Sequence, residues 1–203
     1  MEVLSYISRA KPFFIIFIKR RKNMPDRAER INRELVHKGA IIDLNKDTMK
    51  LPDGRIEYFD FIYHKGAAAV VPVRDDGKIL MVRQYRNAVD QYTIEVPAGG
   101  KNGADEPTLE CAYRELEEET GYYTDRENLE LLLSLYTTVA FCNEQIDIYV
   151  AKNLTKTEQH LDDDEYIDVE AYTIDELVDM VISGEIVDAK TIAAIMTYKV
   201  KYC

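Results

Sequence analysis

Apolar positions along the chain come mostly in short runs separated by glycine, proline and acidic breaks, a rhythm of strands more than of helices. Two or three strands are predicted from about Glu34 to Tyr63. Within that stretch Leu51-Pro-Asp-Gly-Arg55 is a turn: proline presets φ and Gly54 accepts a positive one. Ala68 to Val73 is a short apolar strand, Asp75-Asp-Gly-Lys78 a hairpin turn and Ile79 to Tyr85 its return. Tyr92 to Val96 is a further strand, stopped by Pro97 and Gly99-Gly100. Leu129 to Val139, Gln145 to Ala151 and Tyr166 to Tyr172 complete the set.

Helical periodicity appears in three places. From Pro107 to Thr120 the residues Leu109, Ala112, Tyr113 and Leu116 fall at i, i+3, i+4 and i+7, with Asp105 and Glu106 at the positive end and Gly121 after the last turn. Thr173 and Glu176 form a capping box that opens a helix to about Ser183, which Gly184 ends. Asp188 caps a final helix, Ala189 to Val200. Helices placed after or between strands, without regular βαβ alternation, predict an α/β (α+β) fold with a mixed sheet covered by helices. The segment before Gly66 reads as a separate small antiparallel β layer. Its edges need a cover, and a second subunit is the simplest one, so a homodimer is expected.

Charge narrows the function classes. The 203 residues carry 26 basic and 37 acidic side chains, a net charge of −11. Such a chain is poorly suited to nucleic acid or to an anionic membrane, and suited to divalent cations. The exception is residues 1–23, where Arg9, Lys11, Lys19, Arg20, Arg21 and Lys22 flank the run Phe13 to Ile18. That run is far shorter than the roughly 20 residues a bilayer crossing needs, so no stable membrane insertion is expected. The segment reads either as an interfacial or edge element or as non-native or disordered sequence ahead of a start at Met24. The expected division is 1–23 as an extension, 24–65 as the β subdomain that dimerises, and 66–203 as the main domain. Cys111, Cys142 and Cys203 are odd in number and form no CxxC pair, which fits a reducing cytoplasm. His37, His64 and His160 are isolated and match no metal spacing.

The chemistry concentrates in Arg114-Glu-Leu-Glu-Glu-Glu-Thr-Gly121. On a helix Glu115 and Glu119 are four apart and Glu118 is three from Glu115, so all three are expected on one side, opposite the Leu109/Leu116 stripe. Carboxylates at that spacing can hold a hard cation such as Mg²⁺. Arg114 can pair with Glu118 one turn on. The alternative is a solvated acidic face, since like charges so placed cost only about 0.2–0.5 kcal/mol per pair.

The wider spacing favours the first reading. Gly100 is followed by five residues and Glu106, then by seven residues and Arg114-Glu115-Leu116, with Glu118, Glu119, Gly121 and Tyr122 beyond. This resembles the Nudix box, Gly-x5-Glu-x7-Arg-Glu-U-x-Glu-Glu-x-Gly-U with U a bulky aliphatic, departing only at Tyr122. Around it, Asp47-Thr-Met-Lys-Leu-Pro-Asp-Gly-Arg55, Gly66-Ala-Ala-Ala-Val-Val-Pro-Val73, Arg83-Gln-Tyr-Arg86, Glu95-Val-Pro-Ala-Gly99 and Asp188-Ala-Lys-Thr-Ile-Ala193 are similar to the ADP-ribose pyrophosphatase branch of that superfamily. Two features depart from the branch. It has one residue fewer before the box glutamate, so Gly99 and Gly100 compete for the box-glycine role. Its loop Tyr-Pro-Ser-Pro-Gly-Phe-Ser-Asp-Glu is here Tyr136-Thr-Thr-Val-Ala-Phe-Cys-Asn-Glu144, without both prolines and the glycine.

The resemblance implies a Nudix-type α/β/α sandwich and a hydrolase that cleaves a nucleoside diphosphate linked to another group. It implies Mg²⁺, with Mn²⁺ as an alternative, and metal ligands at Glu115, Glu119, Glu118 and the Ala98 carbonyl. Glu118, Glu119 and Glu165 are the expected catalytic groups, Glu165 as base or as completing the metal cage, with Asp164 as runner-up, since the run Asp162, Asp163, Asp164, Glu165 stands just before a strand. A solvated loop is the bland alternative for that run. Glu106 and Arg114 are expected to hold loop and helix together. Arg86, Glu95 and Arg83 are the expected substrate-binding residues. Positions 83 and 86 face opposite ways on a strand, and Arg86 is preferred as the phosphate fork. Tyr58, Phe59 and Phe61 can stack on a base, but sheet packing is favoured for each. The implied reaction is ADP-ribose and water giving AMP and ribose 5-phosphate. Another nucleotide sugar (GDP-mannose, UDP-glucose), a damaged nucleotide, or a sensor that binds ADP-ribose without cleaving it are the rivals.

Overall fold

The predicted strands are all present, in the order β1 (Glu29–Lys38), β2 (Asp43–Lys50), β3 (Ile56–Tyr63), β4 (Ala67–Pro72), β5 (Ile79–Arg86), β6 (Gln91–Glu95), β7 (Ala98–Gly100), α1 (Thr108–Thr120), β8 (Tyr122–Tyr123), β9 (Leu129–Tyr136), β10 (Gln145–Ala151), β11 (Thr155–Lys156), β12 (Ile167–Tyr172), α2 (Ile174–Ser183) and α3 (Ala189–Tyr202). The structure, a computed structural model, describes residues 27–39, 42–161 and 165–203. The extension 1–23 and the acidic residues 162–164 lie outside the described residues. The strand expected to reach Val139 stops at Tyr136, the first strand starts at Glu29 and not at about Glu34, and the three-residue β7 and two-residue β8 and β11 are additions to the predicted set. Of these, β7 forms on Gly99-Gly100, which the sequence marks only as a break.

The core explains the alanine- and valine-rich runs. Strands β4 and β10 lie parallel at the centre of a mixed sheet ordered β7-β4-β10-β9. Ala67, Ala69 and Val71 of β4, with Ile146, Ile148 and Val150 of β10, pack on one side with Leu177 of α2 and Ala194, Ile195 and Tyr198 of α3. Ala68 and Val70, with Tyr149 and Ala151, pack on the other side against Cys111, Ala112 and Leu116 of α1. A strand buried on both faces loses the apolar–polar alternation and reads as a continuous apolar run. Each fully buried aliphatic such as Leu116 contributes about 2 kcal/mol. The result is an α/β/α sandwich, with the second sheet β12-β5-β6 joined at the Val73–Ile79 bridge. No helix among the described residues is long and apolar enough to cross a membrane.

Helix termini follow the predicted chemistry. Thr173 and Glu176 make the reciprocal capping box, and Asp188 accepts from the Thr191 N–H at 3.0 Å. Pro107 sits at the N-cap of α1, and Gly121 ends the helix in the left-handed region (φ 66°).

β1, β2 and β3 form a separate antiparallel meander. Its internal anchor is Arg33, which forks onto Asp47 with both bonds at 2.6 Å and lies over the Phe61 ring. That guanidinium holds the Asp47 carboxyl below the usual range. The sheet joins the main domain where the Ile62 N–H donates to the Phe141 carbonyl (2.7 Å) and the His64 N–H to Asn143 Oδ1 (2.8 Å). Leu35, Val36, Ile56, Tyr58, Phe59 and Tyr63 remain exposed.

Candidate active site

Three elements bring the acidic residues of α1 together. The helix lies across β4, and β7 pairs with β4 so that Ala98 and Gly99 run alongside the helix. Ala98 donates its N–H to Glu119 Oε2 at 2.9 Å. A Cβ on Gly99 would stand inside the Glu115 carboxylate, whereas one on Gly100 would meet nothing within 4 Å. The need for a missing side chain therefore falls on Gly99, while the Gly100 carbonyl accepts from Arg114 Nη2 at 3.0 Å.

This packing does not leave a solvated acidic face. Glu115 is 7% exposed and Glu119 3%, flanked on the helix by buried Cys111 and Leu116. Glu118 is more exposed, its side chain at 38%, and pairs at 2.8 Å with the same Arg114 Nη1 that binds Glu115. Arg114 also donates to Glu115 Oε1 at 2.6 Å. Its Nε is buried without a hydrogen bond, the nearest Glu106 oxygen being 3.7 Å away. Glu106 itself accepts from the Asn102 N–H at 2.6 Å, which ties the loop after β7 to the start of the helix.

Burial, the first cause, pushes the Glu119 carboxyl up to about 8, with Glu115 and Glu165 adding repulsion against the opposing Ala98 N–H and Arg86. Burial likewise raises Glu115 to about 7 despite Arg114, with Glu118 and Glu165 adding to the rise. Burial also raises the Cys111 thiol to about 11, so that sulfur is a packing group at site pH.

These residues fit a divalent metal. Two buried carboxylates whose negative charge is held at a cost form a hard-oxygen donor set that a cation relieves. Among the described residues no group of three or more acidic, histidine or cysteine side chains is gathered as a metal-holding cluster.

A cleft of about 570 Å³ opens beside the pair and shares Ala98, Gly99 and Gly100 with it. Its wall is built around Glu95, 2% exposed. Glu95 accepts the Arg86 fork at 2.8 and 2.7 Å, the Thr93 hydroxyl at 2.6 Å, and the Lys190 ammonium. Burial alone would raise its carboxyl, but Arg86, Lys190 and Thr93 together lower it to about 2. With both oxygens occupied, Glu95 is less an acceptor for substrate than the anchor of two cations. Lys190, which also pairs with Asp188 at 3.0 Å, stands in the segment Asp188-Ala-Lys-Thr-Ile-Ala193, but nothing in that segment announces its pairing with Glu95. Arg86 lines the cleft. Arg83 does not: it is exposed on the opposite face, 5.5 Å from the Tyr92 ring centroid. The far wall contains His64, Thr137 and Glu144, with Thr137 donating to Glu144 at 2.6 Å. Tyr58, Phe59 and Phe61 belong to β3 of the meander and do not line this cleft.

The close fit at β7 has a measurable consequence. Gly99→Ala forces the Glu115 carboxylate to move while leaving the fold intact, because only the end of a side chain must give. Turnover should fall roughly 10²-fold, the scale for a reacting group misplaced by about 1 Å, while Gly100→Ala stays near wild type. Steady-state kinetics with a circular dichroism control checks this; equal losses in the two variants would refute it.

A catalytic-type carboxylate pair at the end of a strand–loop–helix unit, flanked by a cation-lined cleft, is matched at the level of sequence families. The NUDIX domain model matches residues 63–195, and the chain belongs to the NUDIX family as a pyrophosphohydrolase using a divalent metal. The chain is 36% identical to the ADP-ribose pyrophosphatase of Bacillus subtilis (strain 168), over 84% of this chain and 92% of that one. It is 38% identical to the methanol dehydrogenase activator of Bacillus methanolicus, over 81% of this chain and 89% of that one. A crystal structure described as an ADP compounds hydrolase superposes with a TM-score of 0.76 at 19% identity, covering 87% of this chain and 95% of that one, and so shares the fold.

Proposed function

We propose that the protein hydrolyses the diphosphate bond of ADP-ribose or a related nucleoside diphosphate sugar, giving AMP and ribose 5-phosphate. The observation that carries this reading is the burial of Glu115 and Glu119 against β7, whose Ala98, Gly99 and Gly100 line a cleft that also presents Arg86 and Lys190. A diphosphate lying between them meets acidic oxygens on one side and fixed cations on the other. The relative in Bacillus subtilis supports ADP-ribose as the first substrate to test.

Mg²⁺ is the proposed ion, held by Glu115 and Glu119 with the Ala98 carbonyl and Glu118 as further ligands. When bound, it neutralises phosphate oxygens and lowers the pKa of water. The chain's own residues supply the rest. Arg86, locked by Glu95, orients the phosphates through its remaining donors. Glu165, whose charge acts on both Glu115 and Glu119, accepts the proton of the attacking water. Glu106 and Arg114 hold the loop against the helix. Residues 66–203 form the hydrolase domain, and residues 24–65 the layer whose exposed apolar face a second copy covers in a cytoplasmic homodimer.

The test is turnover of a panel comprising ADP-ribose, GDP-mannose and UDP-glucose, with product identification, in Mg²⁺ and in chelator. ADP-ribose should be preferred, should yield AMP, and should not be cleaved under chelation. Equal turnover of the whole panel would reject ADP-ribose as the substrate. Binding without turnover would reject the enzyme in favour of a sensor.

A further inference from the structure

The chain between β11 and β12 carries Glu165, and its first part is fastened to one end of α1. Thr157 donates its N–H to the Gly121 carbonyl at 2.7 Å, and His160 its N–H to the Glu118 carbonyl at 3.0 Å. Between them the Gln159 side-chain amide donates to the Glu119 carbonyl at 2.6 Å. Two of these acceptors are C-terminal carbonyls of α1, belonging to residues of the acidic site, and the third is that of the Gly121 cap. Gly121 makes the approach possible: a Cβ there would lie 3.1 Å from Gln159 N and 3.2 Å from the Thr157 carbonyl oxygen.

The Gln159 amide has a second use. The same nitrogen reaches the Ile167 carbonyl at 3.3 Å, at the first residue of β12. One NH₂ group, with two protons to give, thus bridges the acidic turn of the helix and the strand start two residues beyond Glu165. Ile167 is itself fixed, 7% exposed and paired with Gln84 of β5. Because one nitrogen reaches both the Glu119 and the Ile167 carbonyl, the start of β12 lies beside the last turn of α1, with Glu165 two residues ahead of that point.

We propose that Gln159 is a positioning residue, whose amide sets Glu165 relative to the Glu115–Glu119 pair by joining the last turn of α1 to the start of β12. It touches neither substrate nor metal and acts through Glu165, so the proposal rests on the reading of Glu165 as base. A helix cap alone would hold the fold together; this bridge also fixes where the base stands.

The experiment is a double-mutant cycle with Gln159→Met, which keeps the length and removes both donors, and Glu165→Gln, using whichever nucleoside diphosphate sugar the wild type turns over fastest. Q159M should lower kcat roughly tenfold with KM and the half-saturating Mg²⁺ concentration unchanged, and should cost nothing further when added to E165Q. Unchanged kcat in Q159M overturns the proposal, as do losses that multiply in the double variant, which would mean that Gln159 acts on the helix and not through Glu165. If E165Q alone keeps wild-type kcat, the base assignment falls and this proposal with it, an outcome distinct from the other two. Should Q159M not fold by circular dichroism, Gln159→Asn, one methylene too short to span both carbonyls, carries the same expectations.

Discussion

Glu119→Gln should abolish turnover and, in metal-free buffer at pH 8, melt at a higher temperature than the wild type. The activity loss should exceed ~10²-fold, the upper end of what removing an outer partner of a metal site costs, because here a ligand itself is removed. The stability gain follows from burial. Glu119 is 3% exposed and titrates at about 8 in the folded chain, against an ordinary value of 4.5. The folded protein thus holds a proton that the unfolded chain has released. Stability falls as pH rises through that window, and Glu115, at about 7, contributes in the same direction. The amide that replaces the carboxylate has no charge to bury, and its oxygen can still accept from the Ala98 N–H. The gain should be on the order of 2 kcal/mol, or about 4–8 °C. Thermal melts in chelator from pH 5 to 8 give the check: the wild type should lose stability across the range and the variant less. Saturating Mg²⁺ should reverse the order. Identical slopes for the two proteins would show that Glu119 carries no buried charge.

Glu95→Ala should be among the most destabilising single changes in the main domain. It removes the one carboxylate that receives Arg86, Lys190 and Thr93 together, and it leaves the largely buried Lys190 ammonium beside a partly exposed Arg86 without their shared counter-charge. Breaking one side of a buried ion pair costs on the order of 3–5 kcal/mol. The pH dependence has the opposite sign to that of Glu119. The Glu95 carboxyl is held at about 2, so its contribution is complete above pH 4.5 and is lost as pH falls towards 2. Urea denaturation at neutral pH measures the loss, and the same titration between pH 4.5 and 2 should show a shallower acid limb in the variant. KM should also rise, since Arg86 loses its brace. A variant as stable as the wild type would mean that solvent or Asp188 compensates both cations.

What the sequence discloses and what it conceals divide along the chain's local and non-local contacts. The carboxylates of α1 are legible because residues four apart meet on any helix, and the box spacing singles that helix out. Their burial is not legible: it depends on Ala98 and Gly99 lying along the helix, in a strand the sequence marks only as a glycine break. Spacing groups Glu118 with the other two but does not show that it is the more exposed, tied to Glu115 through Arg114. The Arg86–Glu95 pair is half visible. Both residues stand out, but pairing across the β5–β6 hairpin, which sets Thr93 opposite Gln84, decides that they bond to each other. Lys190 arrives from α3, nearly a hundred residues away; it stands in the Asp188–Ala193 segment of the resemblance, but no local pattern announces that it meets Glu95. The caps of α2 and α3, by contrast, are readable to the residue, since their partners lie within one turn.

Ala68, wholly enclosed and facing α1 while Ala67 and Ala69 face α2 and α3, gives the main sheet a methyl surface beneath the acidic helix. Methyls are the shortest spacers a strand offers besides bare backbone. They act as a ruler, fixing how near the helix rides and therefore whether its two carboxylates reach the backbone alongside. The selective pressure of the chemistry must then extend into the hydrocarbon interior: a bulkier residue at Ala68, harmless to solubility and to hydropathy, would lift the helix and detune an active site it never touches.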